Sequence, residues 1–318
     1  VQVTVFGAGA IGGWLAGTLG RAGVAVSVAA RGAALAALQR DGLRLIEAGR
    51  SWQCAVTAAE PAALGPADLL VVTTKAHDLP AAADALRALI GPETRVVALL
   101  NGLPWWFFQG FEGPLRDARL QTVDPGGQLA AITGSSPIIG GVVHASVERE
   151  QPGCVRVIRT DRLILGEPSG GRSPSLRWLV ETLVRGGVPA EVSGDIRRDI
   201  WLKLWGNMNM NPLSALTRAT TDRLLDDPEV RALCLQMMME MAACGDRLGL
   251  HLGMTPATRM DVTRRLGDFK TSMLQDLEQG RRLEYEPQLG AIVEVAHRLA
   301  VPAPFCEAVL GLIRQLST

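Results

Sequence analysis

The chain has 318 residues, 47% of them apolar and 20% charged, a composition that suits a globular protein of about two domains and excludes a disordered one. Lysine plus arginine balance aspartate plus glutamate at 32 each, so no bulk field draws the chain to nucleic acid or to an anionic membrane. Five scattered cysteines (Cys54, Cys154, Cys234, Cys244, Cys306), never spaced as CxxC, fit free buried thiols in a reducing compartment, and four histidines (His77, His144, His251, His297) lack metal-ligand spacing.

The first apolar run, VQVTVF (1–6), flows directly into a glycine motif, which leaves no place for a signal peptide, and no segment reaches ~18 consecutive apolar residues. A soluble cytoplasmic protein is the expectation. The motif is GAGAIG: Gly7, Gly9 and Gly12, with Ala8, Ala10 and Ile11 between them, directly after a strand and directly before a helix. In that context the glycines permit a tight turn and bring backbone N–H groups against a dinucleotide's pyrophosphate at the helix N-terminus.

The second strand, VAVSVAA (24–30), ends in Arg31 with no acid before Asp41. A guanidinium at that place suits the 2′-phosphate of NADPH, whereas an acid would suit the free ribose of NADH. Strands at 68–74 and 95–100, with helices at 11–22, 32–40 and 78–90, complete the βαβ rhythm of a doubly wound α/β sheet. Lys75 and Asn101-Gly102 follow the third and fourth strands, at the rim where open α/β sheets bind ligands. The aromatic run Trp105, Trp106, Phe107 and Phe108 comes next; it suits core or a subunit contact, and alternatively a reshaped cleft wall.

Three strands without intervening helices, 138–147, 154–159 and 162–167, predict an antiparallel extension. The loop GEPSGGRSPS (166–175) then marks a change of composition, dividing a Rossmann-like NADP-binding domain (1–170) from an all-α domain (171–318). Helical periodicity covers 174–186, 195–217, 227–249, 256–267, 272–279, 285–299 and 304–316, with Asp226 and Asp227 before Pro228 as the N-cap region of the third. The segment LQMMMEMAA (235–243) reads as adaptable core or as the packing face of a homodimer.

Within 195–217, Lys203, Asn207 and Asn211 recur every four positions. At about 100° and ~1.5 Å per residue they form one polar stripe roughly 12 Å long. Trp201, Leu202, Leu204, Trp205 and Met208 make the rest of that segment apolar, so the stripe faces something enclosed. One cation and two carboxamides supply a proton donor and directional hydrogen bonds, which is what holding and reducing an oxygen-rich acid requires. Pro212, just past the stripe, cannot donate to the Met208 carbonyl and predicts a kink there.

Taken in order, GAGAIG, Arg31, Lys75-Ala76, Asn101-Gly102, Lys203, Asn207, Asn211-Pro212-Leu213, SMLQD at 272–276 and Glu284 resemble the ketopantoate reductase family over almost the whole chain. The resemblance implies a Rossmann domain plus a helical domain with the active site in the cleft between them. It implies hydride transfer from NADPH to the 2-oxo group of 2-dehydropantoate, giving pantoate for pantothenate synthesis. On this resemblance Lys203 is the proton donor; Asn207, Asn211 and Ser272 bind substrate; and Asn101 touches substrate and the nicotinamide ribose. Glu284 contacts the cofactor side, Ala145 offers a backbone contact to the cofactor, and Arg31 and Lys75 surround the 2′-phosphate. Thr221 stands where some members have a substrate-binding asparagine, and another such asparagine falls near Phe269.

From the residues alone, Ser272 could instead cap its helix, and Glu284 could pair with Arg281 or Arg282 at the surface. Thr221, Phe269 and the WWFF loop leave open a reductase of another branched or aromatic 2-oxo acid on the same scaffold. A 3-hydroxyacid dehydrogenase also pairs a lysine with an asparagine four residues on, but Asn211 and the Ser272 to Glu284 element argue against it. From another class comes a non-catalytic NADPH-sensing regulator, which would have no need of Lys203.

Overall fold

The structure, a computed structural model, describes residues 1–134, 136–265 and 267–317. In chain order its elements are β1 (Val3–Phe6), α1 (Ala10–Arg21), β2 (Val26–Ala29), α2 (Gly32–Asp41), β3 (Leu43–Glu47), β4 (Arg50–Cys54), β5 (Thr57–Ala59), α3 (Pro61–Leu64), β6 (Leu69–Val72), α4 (Ala83–Arg87), β7 (Arg95–Ala98), α5 (Gln128–Thr133), β8 (Ile138–Gln151), β9 (Cys154–Gly166), α6 (Pro174–Arg185), β10 (Ala190–Val192), α7 (Ile196–Thr217), α8 (Thr221–Asp226), α9 (Pro228–Leu248), α10 (Pro256–Arg264), α11 (Ser272–Glu278), α12 (Ala291–Arg298) and α13 (Pro304–Leu316). Two compact units result: Val1–Leu100 with Gln128–Asp199, and Asn101–Gly127 with Ile200–Thr318.

The first unit holds one mixed sheet in the order β4-β3-β9-β8-β7-β6-β1-β2-β5, with β10 also paired to β9. From β5 through β2, β1, β6 and β7 to β8 every pairing is parallel, the doubly wound arrangement that the β-branched runs predict. β8 and β9 pair antiparallel with register shifts, including one between His144 and Ala145. The expected strands 154–159 and 162–167 are therefore one continuous strand, whose far edge takes β3 along its first half and β10 along its second.

Sequence patterning missed the hairpin β3–β4. Its turn is Ala48-Gly49, both with positive φ (48° and 73°), which matches the two-residue turn that antiparallel strands favour; an alanine there gives no signal. The hairpin and the neighbouring β9 seat where α1 is stripped of side chains: a Cβ on Gly17 would meet Leu45 of β3 at 3.2 Å, and one on Gly13 would meet Val155 of β9 at 2.7 Å. The expected helix over 78–90 is instead two short 3-10 turns followed by α4, because Pro80 supplies no amide hydrogen to a continuous helix.

The chain passes from the first unit to the second within α7, after Asp199. β10 adds to the sheet through β9, and Arg21 of α1 donates to the Gly186 carbonyl at 2.7 Å, so α6 and β10 count with the first unit. Segment 101–127 belongs to the second unit, where Glu294 of α12 accepts from the Gln121 and Thr122 amides, both at 2.9 Å, and Arg298 donates to the Arg119 carbonyl at 2.7 Å. Trp105, Trp106, Phe107 and Phe108 are buried in that unit, with Phe107 against Phe111 and Trp201 at 6.3 and 6.1 Å between centroids. The WWFF run is core, and the cleft-wall alternative is set aside.

The remaining helices follow their caps. Asp227 accepts from the Glu229 and Val230 amides at the start of α9, and the helix ends on Gly249 in the left-handed conformation. α7 runs on through Pro212. The methionine segment is mixed: Met237, Met238 and Met241 are buried, whereas Met239 is exposed. Among the described residues no helix is long and apolar enough to cross a membrane.

Candidate active site

Two constellations carry chemistry, one in each unit. In the first, β1 and β6 are neighbours and their connections leave in opposite directions, so the glycine turn lies at the carboxyl end of the point where strand order reverses. Gly7 has φ of +115°, and a Cβ there would meet the Thr74 amide nitrogen and hydroxyl at 2.8 Å; a Cβ on Gly12 would drive into the Gly7 carbonyl. Gly9, by contrast, faces open space within 4 Å. Two glycines are thus needed by the turn itself, and the third keeps a surface bare.

That surface is the N-terminus of α1, which has Gly9 as N-cap, no side-chain cap bond and no acid in its first turn. Its free amides and positive dipole end suit a phosphate group. The residues therefore fit a dinucleotide. Thr73 and Thr74, which sequence reasoning passed over, hold the turn: Thr73 Oγ1 donates to the Gly7 carbonyl at 3.0 Å, and Thr74 Oγ1 to the Phe6 carbonyl at 3.3 Å. Only the β1–β6 adjacency reveals their purpose. Arg31 is exposed at the end of β2 as the N-cap of α2, with no ion pair among the described residues. Asp41, the nearest acid along the chain, pairs with Arg40 at 2.6 Å. Lys75 is half-buried immediately past β6, at the start of a 3-10 turn. Ala145 is half-buried in β8 beside the register shift.

The residues suited to carbonyl chemistry lie in the second unit. Lys203 of α7 is half-buried and its Nζ donates to Asn101 Oδ1 at 3.0 Å. Asn101 is held in turn by its neighbour: Gly102 has φ of +86° and lies flat on Pro287, where any Cβ would strike the Pro287 carbonyl, and the Leu103 amide donates to that same oxygen at 2.8 Å. Pro287 is the second residue of a single π-helical turn, Glu286–Gly290, just before α12. The next residue of that turn, buried Gln288, accepts from Asn211 Nδ2 at 2.7 Å. Lysine, both asparagines and the π-turn thus form one connected frame.

Glu284 is buried close to Lys203, and Arg281 bonds Asp276 at 2.7 Å. Burial pushes the Lys203 ammonium down to about 8, and the nearby Glu284 carboxylate acts in the opposite direction by favouring the charged form. The lysine is therefore an acid poised close to neutrality, as a proton donor needs.

The other substrate candidates divide. Asn207, one turn past Lys203, is half-buried and its carboxamide makes no hydrogen bond to the described residues. Ser272 does not cap α11: Thr271 does, accepting from the Leu274 amide at 3.2 Å, which leaves the Ser272 hydroxyl exposed. Thr221 is buried with its hydroxyl on the Gly267 carbonyl at 3.0 Å and its amide on the Phe269 carbonyl at 3.0 Å, so its visible duty is to clamp that loop. No hydrogen bond joins it to Lys203. Gln288 was missed because a lone glutamine in EPQLG carries no signal until the π-turn places it on Asn211.

The chain is similar to known proteins along its whole length. Residues 3–170 match the family model "Ketopantoate reductase PanE/ApbA", and residues 195–317 match its C-terminal counterpart, "Ketopantoate reductase PanE/ApbA C terminal". A 2-dehydropantoate 2-reductase of Mesorhizobium japonicum is 44% identical, covering 100% of this chain and 98% of that protein. The solved structure of a candidate ketopantoate reductase from Ralstonia solanacearum MolK2 superposes with a TM-score of 0.94 at 46% identity, covering 99% of this chain and 97% of that one. A 2-dehydropantoate 2-reductase from Methylococcus capsulatus gives a TM-score of 0.85 at 26% identity over 99% and 96% of the two chains. With both halves matched in order, this chain belongs to the ketopantoate reductase family.

Proposed function

We propose that the protein is an NADPH-dependent reductase that converts 2-dehydropantoate to pantoate. The observation that carries the reading is Lys203, held on Asn101 and brought to a pKa of about 8 in a frame of carboxamides, within a chain 44% identical to a 2-dehydropantoate 2-reductase. NADPH, when bound, supplies the hydride. The glycine turn and the α1 amides would hold its pyrophosphate, with Arg31 and Lys75 at the 2′-phosphate and Ala145, Asn101 and Glu284 as further contacts.

Hydride addition to a 2-oxo carbon builds negative charge on the carbonyl oxygen. Protonated Lys203 stabilises that charge and then transfers its proton to the oxygen, leaving a hydroxyl and a neutral amine. Asn101 aims the ammonium, and Glu284 keeps it charged. Asn207 and Asn211 orient the substrate's oxygens as neutral groups, and the Ser272 hydroxyl adds a further bond. A non-catalytic sensor gains nothing from a desolvated, oriented ammonium.

The test is a panel of 2-oxo acids assayed by NADPH oxidation. The highest kcat/KM is expected with 2-dehydropantoate, and pantoate should accumulate in step with NADP. A higher kcat/KM with an aromatic or other branched 2-oxo acid would transfer the reading to that substrate.

The glycine turn permits a separate check. Because nothing lies in front of Gly9, Gly9→Ala is expected to keep the melting temperature close to that of the parent while weakening NADPH about tenfold, through the methyl placed against the pyrophosphate. Calorimetric titration showing undiminished NADPH affinity would remove the turn from the cofactor site.

A further inference from the structure

Arg259 lies in α10, half-buried, and among the described residues its guanidinium has a single hydrogen-bond partner, a neutral one: Nη1 donates to Thr263 Oγ1 at 2.8 Å. Burial lowers its affinity for the proton, and among the described residues no carboxylate compensates. Asp261, two residues along the same helix, pairs with Arg231 at 3.9 Å. A partly desolvated guanidinium without a counter-charge is costly, and such a group persists where an anion visits.

Its position says which anion. The guanidinium lies against Gly206 of α7, so close that a Cβ there would overlap Nη2 and come within 2.9 Å of Cζ. Gly206 precedes Asn207 and stands three residues past Lys203, about 60° from it around the helix. A glycine in mid-helix costs roughly 1 kcal/mol against alanine, and here the three atoms nearest to the missing Cβ all belong to the Arg259 guanidinium. The cation is therefore laid along the flank of the Lys203–Asn207 stripe, within the same unit of the fold.

We propose that Arg259 binds the carboxylate of the 2-oxo acid substrate, with Gly206 as the residue that admits it. The proposal rests on the reductase reading, since it takes the stripe to be where the 2-oxo acid sits. A guanidinium offers two parallel N–H donors that match a carboxylate, which selects acids over their neutral derivatives.

The experiment compares 2-dehydropantoate with its methyl ester in the intact enzyme. Arg259→Gln is expected to raise KM for the acid about tenfold or more, leave KM for the ester unchanged and leave NADPH affinity intact. Gly206→Ala keeps the charge but pushes it aside, and should shift the acid-to-ester ratio in the same direction even if Arg259→Gln folds poorly. An acid-to-ester ratio that neither variant changes overturns the proposal. If the parent enzyme reduces neither compound, the reductase reading fails, and calorimetric binding of pantoate then decides Arg259 by itself: weaker binding in Arg259→Gln supports it, while equal or absent binding overturns it.

Discussion

Lys203→Ala is expected to lower kcat about 100-fold or more while leaving NADPH affinity nearly unchanged. The variant removes the proton donor and the charge that meets the developing alkoxide, but takes nothing from the glycine turn, which belongs to the other unit. The pH profile adds an independent reading of the same residue. Lys203 must begin protonated, so reduction should fall as pH rises through about 8, the value to which burial brings the ammonium. Glu284 favours the charged form, so Glu284→Gln should move that alkaline limb to lower pH. Near-parental turnover in Lys203→Ala, or a limb indifferent to Glu284, would reject Lys203 as the donor.

Arg31→Ala is expected to weaken NADPH by about 2 kcal/mol and NADH hardly at all, because only the phosphorylated ribose offers the guanidinium an anion. The exposure of Arg31 at the end of β2 makes the variant structurally mild; among the described residues the guanidinium has no ion pair that the fold would lose. Competition between the two cofactors in one assay reads the effect directly. An equal loss for both would place Arg31 outside the 2′-phosphate site and leave Lys75 as the remaining basic candidate.

Local signals and tertiary context were unequally legible. GAGAIG between a β-branched run and an Ala/Leu run is interpretable because glycine, strand and helix signals all act over a few residues; the structure adds that Gly7 and Gly12 serve the turn and Gly9 the open face. The β3–β4 hairpin was not legible, since its turn puts an alanine at positive φ and its strands gain their place by packing on glycines of α1. The WWFF run was ambiguous by sequence because aromatics suit core and binding surface equally, and only burial against Phe111 and Trp201 separates the two.

By itself, the sequence determined the doubly wound α/β half, the helical half and the Lys203–Asn207–Asn211 stripe, because periodicity, capping and turn chemistry are short-range properties of neighbouring residues. Tertiary structure alone decided what surrounds that stripe. Asn101 reaches Lys203 across 102 positions of chain, Gln288 reaches Asn211 across 77, and Glu284 and Arg259 arrive from segments with no periodic tie to α7. Which partner a buried polar group meets depends on how the helices pack together, and that packing sums many weak apolar contacts that no local pattern encodes.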